Sequence, residues 1–272
     1  MLHMSLAALL ATAAIIAAVG AWHVLRDTRN PGARLMFSMG LWVIAIVAPL
    51  QLLAGDLHGR NTLEHQPQKL AAIEGSWQRP PAGEGEPLRL FAIPDMQAQR
   101  NRHELAIPRL GSLYLRHNWT GTIAGLREFP RSDLPPVPIV FFAFRAMVGL
   151  GLLLIAVGML SLVLRARGRL YEARWLQRVV VVMAPSGMLA MLCGWVVTEV
   201  GRQPFTVYGL LRTAHSTSPL SLPMVASSSV AILVLYPLVF GLGLFLLLRV
   251  LRRLPHARER GPSPGLADQT GN

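Results

Sequence analysis

Residues able to do chemistry are sparse here, because only 15% of the 272 positions are charged. Lys69 and Glu74 lie five apart in the run Gln66-Pro67-Gln68-Lys69-Leu70-Ala71-Ala72-Ile73-Glu74. On an ideal helix that spacing turns the two side chains about 140° from each other, so they form no helical ion pair. They would line different walls of one pocket or belong to a broken helix, and a carboxylate so placed could accept protons as a general base. The plainer reading of the same segment is a solvated amphipathic loop helix. Glu199 stands at the end of a long apolar run, where an ionisable residue is a functional candidate by default and snorkelling to a membrane interface is the alternative. Trp195, Glu199 and Arg202 are spaced i, i+4, i+7 and share one helical stripe. His3 and Met147, taken alone, read as a terminal residue and one packing methionine of 11. His58, His65, His103 and His117 lack a His-x-x-x-His spacing and read as surface residues. Cys193 is the single cysteine, so it can form no intrachain disulfide or multi-cysteine metal site and reads as a small core residue.

The elements that must carry these residues are apolar spans. The chain is 52% hydrophobic with mean hydropathy +0.42, too apolar for an ordinary soluble domain. Runs long enough for a bilayer, which needs about 20 residues, occur at Leu6–Leu25, Leu35–Ala54, Val137–Leu164, Val179–Val200 and Val225–Leu248. The expectation is an all-α integral membrane protein with five transmembrane helices. Net charge is +12 with Lys69 as the only lysine, and the arginines cluster at alternate connections: Arg26, Arg29 and Arg34; then Arg165, Arg167, Arg169, Arg174 and Arg178; then Arg249, Arg252, Arg253, Arg258 and Arg260. Five antiparallel crossings with positive sides inward require that alternation. The N-terminus and the loops 55–136 and 201–224 are then expected to face outward. The same placement excludes nucleic-acid binding, which would need a basic face with interleaved aromatics on a soluble fold. The expected organisation is two spans over 1–54, a long extracytoplasmic loop over 55–136, three spans over 137–253 and a disordered cytoplasmic tail over 254–272. Within the loop, the stretch Arg79–Pro87 reads as a flexible excursion, and a loop of this length is functional or disordered.

Four segments, in order along the chain, resemble subunit I of the cytochrome bd-type quinol oxidases. The first is Gly55-Asp56-Leu57-His58-Gly59 followed by Gln66 through Trp77, similar to the start of the family's quinol-binding loop. Leu90-Phe91-Ala92-Ile93-Pro94-Asp95 resembles a later part of that loop. Phe142-Ala143-Phe144-Arg145-Ala146-Met147 is the third. Gly194-Trp195-Val196-Val197-Thr198-Glu199-Val200-Gly201-Arg202-Gln203-Pro204-Phe205 is the most distinctive. Ala21-Trp22 continue the family pattern in register from His3.

The resemblance implies roles for these residues. His3 and Met147 would be the axial ligands of a low-spin b haem, a pairing that raises a haem's potential. Arg145 would neutralise one of its propionates. Glu199 would ligate a high-spin b haem, with Arg202 as propionate partner and Trp195 beside the haem plane. Lys69 and Glu74 would form the quinol site, with Gln66 and Asp56 as weaker supports. Counting 1.5 Å per residue puts His3 ~34 Å from Arg26, Met147 ~27 Å from Arg165 and Glu199 ~31 Å from Arg178, so all three fall toward the same side of the membrane. The implied protein is a bacterial inner-membrane, respiratory-chain oxidase that takes electrons from ubiquinol or menaquinol to oxygen through haem b and a third haem, of d type or another b. Its implied partners are a second oxidase subunit, the membrane lipid and the family's earlier helices of subunit I, which precede the part this chain matches. Without those helices the isolated chain is not expected to reduce oxygen. The alternative from a different class is a truncated, haem-free structural or interaction membrane protein derived from the oxidase fold.

Overall fold

The computed structural model describes residues 1–253; the tail over 254–272 lies outside the described residues. Among them five helical spans are long and apolar enough to cross a membrane: Leu2–Arg26, Pro31–His65, Val137–Ala166, Arg174–Gly201 and Leu222–Leu251. The first is α1 and the second α2. Their tight connection is set by Asn30, whose side chain accepts a hydrogen bond from the Ala33 amide at 3.0 Å, and by Pro31 in the first helical turn. Small residues let the two backbones approach. A Cβ on Gly20 would sit 2.3 Å from the Phe37 nitrogen, and one on Gly40 would sit 2.8 Å from the Ala13 carbonyl oxygen. Apolar surface drives little association inside lipid, so such close packing is what holds helices together there. The third span, α5 (Val137–Ala166), joins this pair where Gly158 meets Ala45.

Two boundaries differ from the sequence expectation. α2 continues through Gly55–His65, past the expected end at Ala54, because nothing in that stretch breaks a helix until Gln66-Pro67. The fourth span is two helices, α6 (Arg174–Val182) and α7 (Ser186–Gly201), interrupted at Met183–Pro185. Pro185 has no amide hydrogen to continue the ladder. α7 passes close to α1, where a Cβ on Gly187 would lie 2.5 Å from the Ala11 Cα. The last span, α8 (Leu222–Leu251), has no buried residue; His23 Nε2 lies 3.0 Å from the Leu251 carbonyl oxygen.

The long loop is folded. It holds α3 (Pro67–Glu74), an antiparallel hairpin of β1 (Leu88–Asp95) and β2 (Arg100–Ile107), and α4 (Leu110–Arg116). A second small hairpin, β3 (Phe205–Val207) with β4 (Leu211–Arg212), follows α7. The all-α membrane expectation with five spans holds, the two short hairpins lying in the loops. Asp95 shapes the first hairpin turn by accepting from the Gln97 and Ala98 amides, both at 2.9 Å, and by pairing with Arg102. α3 sits on the membrane helices through a core of Ala71, Ala72, Ile73 and Trp77 with Val137, Val140 and Val197.

Candidate functional site

Pro67 opens α3 and Gly75 closes it in the left-handed conformation (φ 63°), so the helix is short and all of Gln68 to Glu74 is buried. Lys69 and Glu74 are accordingly withdrawn from water, with 7% and 1% exposure. They face opposite walls, as their spacing predicts. The Lys69 stem lies over Gly201 at the end of α7, beside Val140 of α5. Burial pushes its ammonium below the ordinary lysine value, the nearby Arg202 adds to this, and Glu199 works against it. Gln66, at the start of α3, keeps its side-chain oxygen buried and without a hydrogen bond.

Glu74 faces the hairpin side. Burial raises its carboxyl above the ordinary range; Tyr114, Arg145 and Arg89 pull it back, and Glu86 pushes the same way as burial. Both Glu74 oxygens and the Tyr114 hydroxyl are buried without a well-formed hydrogen bond. The two groups are nonetheless close enough for the phenol to stabilise the carboxylate, so proximity rather than a made bond links them. Arg145 does not carry a free guanidinium here. Its Nε and Nη2 donate to the Arg89 carbonyl at 2.8 and 2.6 Å, and Nη1 donates to the carbonyls of Ile73 at 2.8 Å and Phe141 at 3.2 Å. It thus clamps the loop to α5.

Deeper in the span bundle, His3 lies beside Gly55 of α2, stacks on His58 at 5.9 Å and meets the Gln51 amide nitrogen at 3.2 Å through Nε2. Met147 on α5 points its sulfur at Gly194 of α7, where a Cβ would meet it at 3.0 Å. The Ala11 and Gly187 contact gives a common reference. From it, His3 is ~12 Å along α1 and Gly194 ~10 Å along α7 toward the same end, so His3 and Met147 stand at one level. His3 Nδ1 is buried and has no hydrogen bond. An imidazole nitrogen without a hydrogen bond and a thioether at one depth suit two residues that would hold a haem iron. Glu199 and Arg202 form an ion pair at the end of α7, Arg202 also donates to the Thr206 carbonyl at 3.2 Å, and Trp195 is exposed at 64%. Asp56 pairs with His117 at 3.4 Å, apart from α3.

Sequence reasoning missed the polar groups around Glu74. Glu86 is fully buried with its Oε1 accepting from Arg89 Nη1 at 2.7 Å, although it falls in the stretch read as an excursion. Arg89 Nε donates to Glu104 at 3.0 Å, and Asn101 links Glu104 to the Gly75 carbonyl. No spacing signalled these; they come together only through the hairpin.

The fold and the site together define a multi-pass membrane protein with a folded loop that buries a Lys/Glu pair above a histidine and methionine at one level. The chain belongs to the cytochrome bd terminal oxidase subunit I family, whose model matches residues 1–255. It is 30% identical over 262 residues to a cytochrome bd ubiquinol oxidase subunit 1 of Bacillus subtilis (strain 168), covering 92% of this chain and 55% of the relative. It is 27% identical over 324 residues to the cytochrome bd-II ubiquinol oxidase subunit 1 of Escherichia coli (strain K12), covering 94% and 62%. The solved bd oxidase from Geobacillus thermodenitrificans superposes with a TM-score of 0.81 at 27% identity, over 93% of this chain and 57% of that one. The chain spans about half the length of the curated relatives it matches.

Proposed function

We propose that this chain forms the quinol-oxidising, electron-entry part of a bd-type terminal oxidase in the bacterial cytoplasmic membrane, working with a second subunit and with the family's earlier helices. The observation that carries the reading is the burial of Lys69 and Glu74 on α3, seated on α5 and α7 at the same end of the bundle as His3 and Met147. Oxidising a quinol to a quinone releases two protons and two electrons. Glu74, with its carboxyl raised above the ordinary range by burial and its oxygens without a hydrogen bond, is suited to accept protons from a quinol hydroxyl. Lys69 and Gln66 offer a cation and a free acceptor for the ring oxygens on the other wall. His3 and Met147 would hold a low-spin b haem, and Glu199, with Arg202 beside it, a high-spin haem. When bound, the low-spin haem supplies the one-electron acceptor. Trp195 would flank the high-spin haem, and the third haem is of d or b type. Arg145 holds the loop to α5 and neighbours Met147 in sequence, so it couples the quinol loop to the haem level. The loop faces the extracytoplasmic side, where the quinol protons leave; the substrate is ubiquinol or menaquinol.

The test is anaerobic addition of quinol to the assembled complex. The expected result is a reduced-minus-oxidised b-haem band that forms on quinol addition in the parent. The band is lost in His3→Ala and in Met147→Ala. It forms slowly in Lys69→Ala and Glu74→Ala. A complex that binds no haem would favour the haem-free structural reading and overturn this one.

A further inference from the structure

We propose that Glu86 is the second proton station of this site, receiving through the Tyr114 hydroxyl the proton that Glu74 takes up, and releasing it into the loop cleft beside Arg89 and Glu104. This rests on the quinol-site reading above.

Glu86 has no exposed surface, yet its Oε2 is buried and unpartnered. A buried carboxylate oxygen left without a donor is costly, and in this molecule the cost recurs on three neighbouring groups: Glu74, Tyr114 and Glu86. Their placement is fixed by main-chain contacts. The Ser112 amide donates to the Glu86 carbonyl at 3.0 Å, and the Glu86 amide donates back to Ser112 Oγ at 2.5 Å. A Cβ on Gly111 would lie 2.7 Å from the Glu86 carbonyl oxygen, so the start of α4 is pressed onto Glu86. Tyr114, two residues further along α4, is thereby held on the element packed against Glu86 and lies within electrostatic reach of both Glu74 and Glu86.

The far side leads outward. Glu86 Oε1 takes a hydrogen bond from Arg89, which shares its charge with Glu104, and Asn101 closes the seam from Glu104 to Gly75. One guanidinium between two ionised carboxylates leaves one negative charge, which a single proton neutralises. Arg89 cannot itself give up a proton, so it holds the charge while the carboxylates do the carrying. Gly85, Pro87, Arg89, Asn101 and Glu104 line an open cleft of ≈ 500 Å³. Glu86 sits between two of these lining residues in the chain. The charged or titratable groups facing the route are Glu74 from α3, Arg89 from β1, Glu104 from β2, Tyr114 from α4 and Arg145 from α5.

The transfer balances without any co-reactant. The Glu74 O–H bond breaks as its proton joins the Tyr114 oxygen, and the Tyr114 O–H proton passes to Glu86 Oε2. Tyrosine ends neutral, Glu74 returns to carboxylate and Glu86 becomes the acid. Burial and the adjoining Glu74 hold the phenol well above its ordinary value, so it relays as a neutral hydroxyl and never as a standing phenolate.

The experiment is stopped-flow quinol-driven haem reduction in the assembled complex, read against pH and in H2O and D2O, with Glu86→Gln and Tyr114→Phe. The expected result is a fall on the order of tenfold or more in rate. The solvent isotope effect and the pH profile change, while quinol KM and the dithionite-reduced haem spectrum stay as in the parent. Parent-like rates, isotope effect and pH profile in Glu86→Gln overturn the proposal. If Glu86→Gln fails to assemble, Tyr114→Phe decides it, since that variant keeps the ring and loses only the hydroxyl; a parent-like isotope effect there overturns it equally. A parent complex that quinol does not reduce at all overturns the functional reading, and the relay with it, and so is distinguishable from failure of the relay alone.

Discussion

The aliphatic stem of Lys69 lies against the bare α-carbon of Gly201: a Cβ on that glycine would meet Lys69 Cγ at 3.2 Å and Cε at 3.4 Å. The contact joins the loop helix to the end of the membrane helix that bears Glu199. It explains why a lysine can be 7% exposed and still lie beside the Arg202 and Glu199 pair.

Gly201→Val is expected to displace the lysine and raise the KM for quinol roughly tenfold, equivalent to ~1.4 kcal/mol of lost binding. Gly201→Ala should change it less, because the flexible lysine stem can give. Steady-state oxidation with haem content as a control measures both. Equal KM in parent and valine variant would detach Lys69 from the substrate.

Glu74 carries a pH signature. Its folded carboxyl is raised by burial, so the folded chain keeps a proton that the unfolded chain releases near 4.5. Its contribution to stability is complete below that value and is lost as pH rises through the raised folded value. Glu74→Gln should therefore flatten the fall in thermal midpoint on the alkaline side of 4.5, scored by loss of the haem band on heating. A parent and variant with parallel profiles would contradict a buried, proton-retaining carboxyl.

Lys69 has the opposite sign. Its folded value is lowered from 10.5, so in the window just below that value the unfolded chain binds the extra proton and stability rises with pH. Lys69→Met should remove this slope. The same heating assay, extended to alkaline pH, checks it.

Arg145 holds three main-chain carbonyls across α3, β1 and α5. Arg145→Ala strands buried acceptors at a cost on the order of 3 kcal/mol. Limited proteolysis should then cut the loop over 66–136 faster than in the parent. Unchanged protection would mean the hairpin is held by its apolar contacts alone.

The α1 and α2 seam makes a plain packing prediction. Gly20→Leu places its Cβ 2.3 Å from the Phe37 nitrogen, and overpacking of this kind costs ~1–3 kcal/mol. Gly151→Ala, with nothing within 4 Å, is the control that should leave the thermal midpoint of the complex in place.

The spans were legible because a bilayer imposes a composition on any chain that crosses it, and apolar runs of sufficient length can be counted from the residues alone. The arginines at alternate connections and the opposed faces of Lys69 and Glu74 follow from equally local rules, charge placement and helical angle. The resemblance also implied roles for His3, Met147, Glu199 and the α3 pair by order along the chain. What stayed hidden depends on groups distant in sequence. Nothing in Gly85-Glu86-Pro87 announces a buried acid, because Glu86 is enclosed only when Ser112 and Arg89 arrive from α4 and β1. That Arg145 also donates to the carbonyls of Ile73, Arg89 and Phe141 could not be read from the sequence, since buried main-chain acceptors must find donors wherever the loop happens to land. Composition, span count and helical spacing were thus decided by the sequence itself. Which charges are buried, and against which partners, was decided only by the tertiary packing of the loop, because desolvation and hydrogen bonding depend on neighbours that chain order does not record.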